Sequence, residues 1–422
     1  MRAPLARPWC TRSGRRSCLF VVLLIAAAAS GCERRLDLEG EAEAEASAPG
    51  TIRTAARIGY YPAVAGRFLL RRTPLGDQLT VAHGVTLYRV EYWTTGPSGE
   101  PAPASGLVVY PKGTRPRGVV SYHHATRTSR QDVPSRKSRE GLLAAIGFGG
   151  HGYLVAAPDY LGLGTSPAPH PYLHTETEAN AVIDLLAAAR RLTRHLKGTW
   201  PDRIFLTGFS QGGHASMAAQ RALEAQPRHD LRITAAAPVA GLYDISGLAF
   251  PFALEGRSSR SSLYIAYVTT AYSRLYGQPL SSLVTPAWAD ELPALFDGAV
   301  TFDEIVQRLP PDPRALLRPD FLDAREARES HWFLAALKAN DVNDWAPAAP
   351  VRLYYGTEDD DSPPSDALRA AERFRSLGGC AIAIDVGATD HEETIFAAVP
   401  HVVAWFDSLS AQPSTAPPDV AR

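Results

Sequence analysis

Ser210 sits between glycines two positions away on either side, in Gly208-Phe209-Ser210-Gln211-Gly212. A β-branched and aromatic run, 203–207, precedes it, and an alanine-rich helical run, 214–220, follows. A strand that turns this sharply into a helix strains the backbone of its central residue and leaves no space for side chains two positions away. The turn lifts the serine hydroxyl to the end of the strand, in front of the free amides and positive pole of the next helix. That arrangement suits nucleophilic attack on an acyl carbon. The alternative is an ordinary strand-to-helix turn.

A serine hydroxyl needs a base to take its proton, and the base needs a carboxylate to fix its tautomer. Two late segments supply them. After the apolar run 351–355 comes Gly356-Thr357-Glu358-Asp359-Asp360-Asp361-Ser362-Pro363, and after 381–386 comes Gly387-Ala388-Thr389-Asp390-His391. His391, just before a helix, is the expected base, in hydrogen-bond reach of both Ser210 and the acid. Asp359 is the expected acid, three residues after one glycine and four before a proline, with Asp360 and Asp361 as alternatives. The neighbouring carboxylates read as solvated or helix-capping groups.

The oxyanion formed on attack needs two amide donors. Gln211, at the helix start, is expected to give one. Ala125 is expected to give the other, with Thr126 second, from the loop His123-His124-Ala125-Thr126. His123, His124 and the aspartate run could be read as metal ligands. Adjacent histidines leaving a strand point to opposite sides, so no metal and no cofactor is expected.

These groups require a sheet whose strands end along one edge. Runs at 118–122, 153–157, 203–209, 233–239, 351–356 and 381–386 are short and apolar, the pattern of parallel strands covered on both faces. Runs at 85–94 and 104–110, joined by Gly96-Pro97-Ser98-Gly99, predict a hairpin. Helices are expected at 175–197, 212–225, 365–377 and 392–408. The alternation gives an α/β fold, a mostly parallel doubly wound sheet with an antiparallel edge. Residues 242–344 break the rhythm with helical patterns, among them 261–275 and 302–309, and predict a helical cap over the site. Tyr264, Tyr267, Tyr272 and Tyr276 either line an acyl pocket or pack the cap onto the core.

The expected organisation is a signal peptide at 1–31, a flexible tether at 32–50, the core at 51–241, the cap at 242–344, the rest of the core at 345–410 and a disordered tail at 411–422. The first 31 residues carry five arginines and no acid, so the remainder is net acidic although the whole chain has a formal charge of −1. No basic stripe marks a nucleic-acid partner. The apolar run 19–29 is short for a membrane span and leads to Ala29-Ser30-Gly31-Cys32, the form of a bacterial lipobox. Cys32 is therefore the expected lipidation site and mature N-terminus, placing the enzyme in the cell envelope as an outer-membrane lipoprotein, with a secreted or periplasmic form as the alternative. Cys10 and Cys18 fall in the removed segment, and Cys380 is expected to be a buried small hydrophobe, so no disulfide framework is available.

Several segments together resemble the secretory lipase family of α/β-hydrolases, which holds fungal lipase-A-like enzymes and bacterial relatives. They are Ser121-Tyr122-His123-His124-Ala125-Thr126, 157–164 (Ala-Pro-Asp-Tyr-Leu-Gly-Leu-Gly), His170-Pro171-Tyr172-Leu173, the 208–212 turn, Asn343-Asp344-Trp345 and the acid and histidine turns, spanning 58–408. The resemblance implies the α/β-hydrolase fold with a helical cap and a serine hydrolase acting on a small-molecule ester or lipid without a cofactor. Where many hydrolases have His-Gly, this chain has His124-Ala125. A serine peptidase or acyltransferase would use the same triad and differ in substrate or acceptor. A non-catalytic envelope lipoprotein would have no use for it.

Overall fold

The computed structural model describes residues 33–36, 47–226, 231–323 and 331–413; the signal segment, Cys32 and the tail from 414 lie outside them. One ten-stranded sheet forms the core, in the order β1-β2-β3-β4-β6-β5-β7-β8-β9-β10. The strands are β1 (Arg34–Arg35), β2 (Ile52–Tyr61), β3 (Val85–Thr95), β4 (Pro101–Pro111), β5 (Val119–His123), β6 (Leu154–Pro158), β7 (Ile204–Phe209), β8 (Ile233–Val239), β9 (Val351–Tyr355) and β10 (Ala381–Asp385). Pairing is antiparallel from β1 to β4 and across β4–β6, and parallel from β6 to β10.

All eight expected strands are present, with ends shifted by up to three residues. The antiparallel edge is wider than expected, because β1 and β2 extend it. β2 carries Arg53 and Arg57 and has register shifts at Ile52/Thr54 and Arg57/Gly59, which erase the two-residue alternation that marks a strand. β1 changes the reading of the tether. Arg34 and Arg35 pair with Arg57 and Ala56, the Leu36 amide donates to the Ala55 carbonyl at 2.8 Å, and Glu33 forms an ion pair with Arg89. Residues 34 and 35 of the expected tether are thus a strand of the sheet, with Glu33 and Leu36 bonded to it on either side.

Alternate side chains of each central strand enter opposite layers. On β7, Ile204 and Leu206 face a core shared with helices Thr175–His195, Gln211–Ala225 and Pro364–Ser376, whereas Phe205 faces helix His391–Ser410. Between β8 and β9 lie helices Phe250–Leu254, Ser261–Leu275, Pro286–Leu295, Phe302–Arg308, Pro319–Asp323 and Trp332–Ala339. They bury a third cluster, around Leu263, Tyr267, Phe296, Phe333 and Leu337, joined from the core by Tyr172 and Leu173. Cys380 is exposed rather than buried, since it precedes an edge strand at the surface.

Candidate active site

The parallel order brings three strand ends together. β7 lies between β5 and β8, with β9 next, so the loops after β5, β7 and β9 open on one edge, and β10 adds the histidine loop. Ser210 follows β7 with φ 56° and ψ −116°, a conformation costing a non-glycine residue about 1–3 kcal/mol. Its amide donates to the Val239 carbonyl at 3.0 Å, and its carbonyl accepts from Gly213 at 2.8 Å. Both flanking glycines are required sterically. A Cβ on Gly208 would lie 2.6 Å from the His123 carbonyl oxygen, and one on Gly212 would strike the same atom harder.

Of the three candidate aspartates, Asp359 meets the histidine. Both its carboxylate oxygens lie 2.9 Å from His391 Nδ1, and Oδ1 also accepts from the amides of Asp361 (3.0 Å) and Ser362 (2.8 Å). Both residues are buried. Burial disfavours the imidazolium of His391, but the charge and hydrogen bond of Asp359 outweigh it, so the histidine pKa is raised above 6.5. Asp390 caps the helix that His391 begins, accepting from the Glu393 amide at 2.8 Å in a capping box. His391 packs on Phe209 at 4.7 Å between ring centroids and lines one cavity with Ser210. The expected Ser210–His391 hydrogen bond is not formed; such bonds often close only around substrate.

Asp361 has another task. Its carboxylate accepts from Tyr264 at 2.9 Å and pairs with Arg260 at 2.7 Å, and Arg260 reaches Glu392 at 3.1 Å. Tyr264 and Arg260 belong to the helical insertion, so this aspartate docks that layer beside Asp359 and His391. Of the four tyrosines flagged in the sequence, Tyr264 lines the cavities beside Ser210. The other three pack or tether. Tyr267 stacks on Tyr172 and Phe296 and donates to the Arg127 carbonyl, Tyr272 donates to the Leu173 carbonyl, and Tyr276 accepts from Asn340.

The loop after β5 departs from expectation. The Ala125 amide donates to both carboxylate oxygens of Glu140, at 3.1 and 3.3 Å, and is thereby engaged away from a substrate oxyanion. Glu140 also accepts from Tyr122 at 2.8 Å and from Arg127 at 2.5 Å. Thr126 lines the cavity with Ser210, its hydroxyl 3.0 Å from that of Tyr172. Gln211 occupies the first position of the helix after the serine, as expected. His123 bonds Ser121 and Ser216, while His124 bonds the carbonyls of Ala125 and Asp159, so the two rings do point apart. Sequence reading missed Glu140 and Arg260, since a glutamate in a short helix and an arginine before a long one carry no motif.

Two spaces meet at Ser210. One is an apolar pocket of about 40 Å³; eight of its twelve lining residues, including Ile245, Phe250, Ile265 and Val268, come from the insertion. The other is an open bay of about 740 Å³ bordered by Arg127, Gln131, Asp132, Arg260, Asp303 and Glu392.

No protein-family model and no curated protein matches this chain. Solved structures do. A protein of Legionella pneumophila, provisionally named a hydrolase, is 30% identical with a TM-score of 0.81, over 86% of this chain and 100% of its own. The rice cell wall degrading esterase LipA of Xanthomonas oryzae, in a ligand-bound form, is 27% identical with a TM-score of 0.75, over 86% and 97%. Candida antarctica lipase A shares the fold at 14% identity and a TM-score of 0.63, over 87% and 84%. The chain belongs to the lipase-A-like family of α/β-hydrolases, a family of carboxylic ester hydrolases.

Proposed function

We propose that this chain cleaves carboxylic esters through a Ser210–His391–Asp359 triad and an acyl-enzyme. The observation that carries the reading is the contact of both Asp359 oxygens with Nδ1 of His391, a residue that lines one cavity with Ser210. With Nδ1 held by the carboxylate, Nε2 takes the proton as Ser210 Oγ attacks the acyl carbon. The oxyanion is received by the Gln211 amide at the helix N-terminus and by an amide of the 124–126 loop other than that of Ala125. His391 returns the proton to the alcohol oxygen as the C–O bond breaks. Water, activated by the same imidazole, then releases the acid.

The small apolar pocket suits a short acyl chain, and the wide charged bay suits a hydrophilic alcohol. Hydrolysis should therefore be fastest with short acyl chains, fall as the chain lengthens, and be absent with peptide anilides. Ser210→Ala should lower kcat by about four to six orders of magnitude, because triad members act as a unit. A folded Ser210→Ala protein with near-normal ester hydrolysis would sink the mechanism.

The lipobox supports a second proposal, that Cys32 carries the lipid and holds the enzyme on the outer membrane. Each buried methylene adds about 0.8 kcal/mol, so two or three acyl chains make a stable anchor. Since Arg34 and Arg35 already pair with β2, the anchor would keep the sheet edge close to the membrane. Wild-type protein should fractionate with membranes and Cys32→Ala should not be anchored. A soluble mature enzyme beginning at another residue would refute this.

A further inference from the structure

Glu178 and His214 have no part in the reaction above, yet both are buried beside the nucleophile turn. Glu178 lies in the first turn of helix Thr175–His195, and His214 four residues after Ser210. His214 Nδ1 is 2.6 Å from Glu178 Oε2, and Glu178 Oε1 accepts from the Gln211 side-chain nitrogen at 2.7 Å. That same nitrogen is 2.8 Å from His170 Nε2, and His170 Nδ1 is 2.7 Å from the Leu161 carbonyl. His170 belongs to the His170-Pro171-Tyr172-Leu173 segment noted in the sequence.

The donors in this network have one consistent assignment. A carbonyl only accepts, so His170 Nδ1 carries hydrogen and Nε2 offers a lone pair. Burial, which lowers the His170 pKa to about 4, keeps it in that neutral form. Gln211 must therefore place its nitrogen between two acceptors and spend both hydrogens there. Its Oε1 is left without a protein partner, so the amide orientation is dictated by Glu178 and His170. On the far side, His214 Nε2 is 2.9 Å from the Asn340 carbonyl, so it donates there while one proton is held along the line to Glu178. Asn340 ends helix Trp332–Ala339 and bonds Thr175 and Tyr276, which anchors the network where the insertion rejoins the core.

We infer that Glu178, braced by His214, is a positioning residue that fixes the oxyanion-donating amide of Gln211 by clamping that residue's side chain. The inference rests on the proposed acyl-transfer reading. The backbone N–H that meets the oxyanion and the clamped carboxamide leave the same Cα. Releasing the clamp lets the first turn of the helix shift, and a donor moved by a fraction of an ångström stabilises the transition state less while substrate binding is unaffected.

The test is steady-state hydrolysis of a short-chain ester by wild type, Gln211→Ala, Glu178→Ala and Glu178→Gln, with thermal unfolding of each. Gln211→Ala and Glu178→Ala should lower kcat about ten- to hundredfold, less than the 10²–10³ that follows loss of a donor itself, with KM within about twofold. Glu178→Gln can accept from Gln211 and donate to a neutral His214, so it should recover most of the kcat lost in Glu178→Ala even where Glu178→Ala unfolds more easily. A folded Gln211→Ala enzyme with wild-type kcat overturns the inference. So does a Glu178 series in which unfolding temperature falls and kcat does not, the signature of a core ion pair only. Failure of the underlying reading looks different, since wild type itself would then cleave no ester or Ser210→Ala would remain active.

Discussion

The carboxyl edge of the sheet and the helical layer above it meet at Ser210, and they are held in place by different means. At the edge, the backbone fixes each group. A strained turn bounded by two glycines presents Ser210, amides of the acid turn orient Asp359, and a capped helix begins with His391. In the helical layer, tips of long side chains do the holding. Tyr267 and Tyr272 reach carbonyls of core loops, and Tyr264 and Arg260 reach Asp361. Backbone constraints tolerate little, because a misplaced carbonyl or Cβ has nowhere to go. Side-chain tethers can be exchanged one at a time, so specificity can vary there while the reaction stays the same.

The sharpest way to break that contrast is at the acid turn. Asp359→Asn should lower kcat about 10⁴-fold by losing the tautomer control of His391, while Asp360→Asn changes it by less than about threefold. The pH profile gives the sign independently. The base must be neutral, and its pKa is raised, so kcat/KM should fall as pH drops through a value above 6.5. Asp359→Asn removes the charge that favours the imidazolium and should move this limb to lower pH. Equal losses at Asp359 and Asp360 would show that the backbone of the turn does not select the acid.

A middle-sized effect is expected in the apolar pocket beside Ser210. Ile265→Phe fills space against Val268 and Phe250, so butyrate esters should lose about tenfold or more in kcat/KM relative to acetate esters. Parallel losses on both substrates would mean that the insertion acts on the triad rather than on the acyl chain. The smallest effect is expected at the tether. Arg260 is partly exposed, and its ion pairs are screened accordingly. Arg260→Ala should raise the ratio of long- to short-chain activity about two- to fivefold with the acid limb of the pH profile unmoved. A shifted limb with an unchanged ratio would make Arg260 part of the base's electrostatics instead.

The sequence by itself determined the glycine-bounded turn at Ser210, the helix start at His391 and the register of the acid turn, along with eight strands and the helical character of the insertion. These are local requirements: a glycine where a Cβ would strike a carbonyl, an unbroken apolar run where a strand is covered on both faces, a capping aspartate where a helix starts. It determined nothing about β2, whose bulges break the alternation, or about residues 33–36, which lack any strand pattern until an edge is present to pair with. Only the tertiary structure separated the three aspartates, giving Asp359 to His391 and Asp361 to the helical layer. Only it put Glu140 on the Ala125 amide and closed the Glu178–His214–Gln211 network, between residues up to 36 positions apart. Such contacts depend on which side chains the folded chain brings within 3 Å of each other, and a carboxylate in a helix looks the same in sequence whether it meets water or a buried amide.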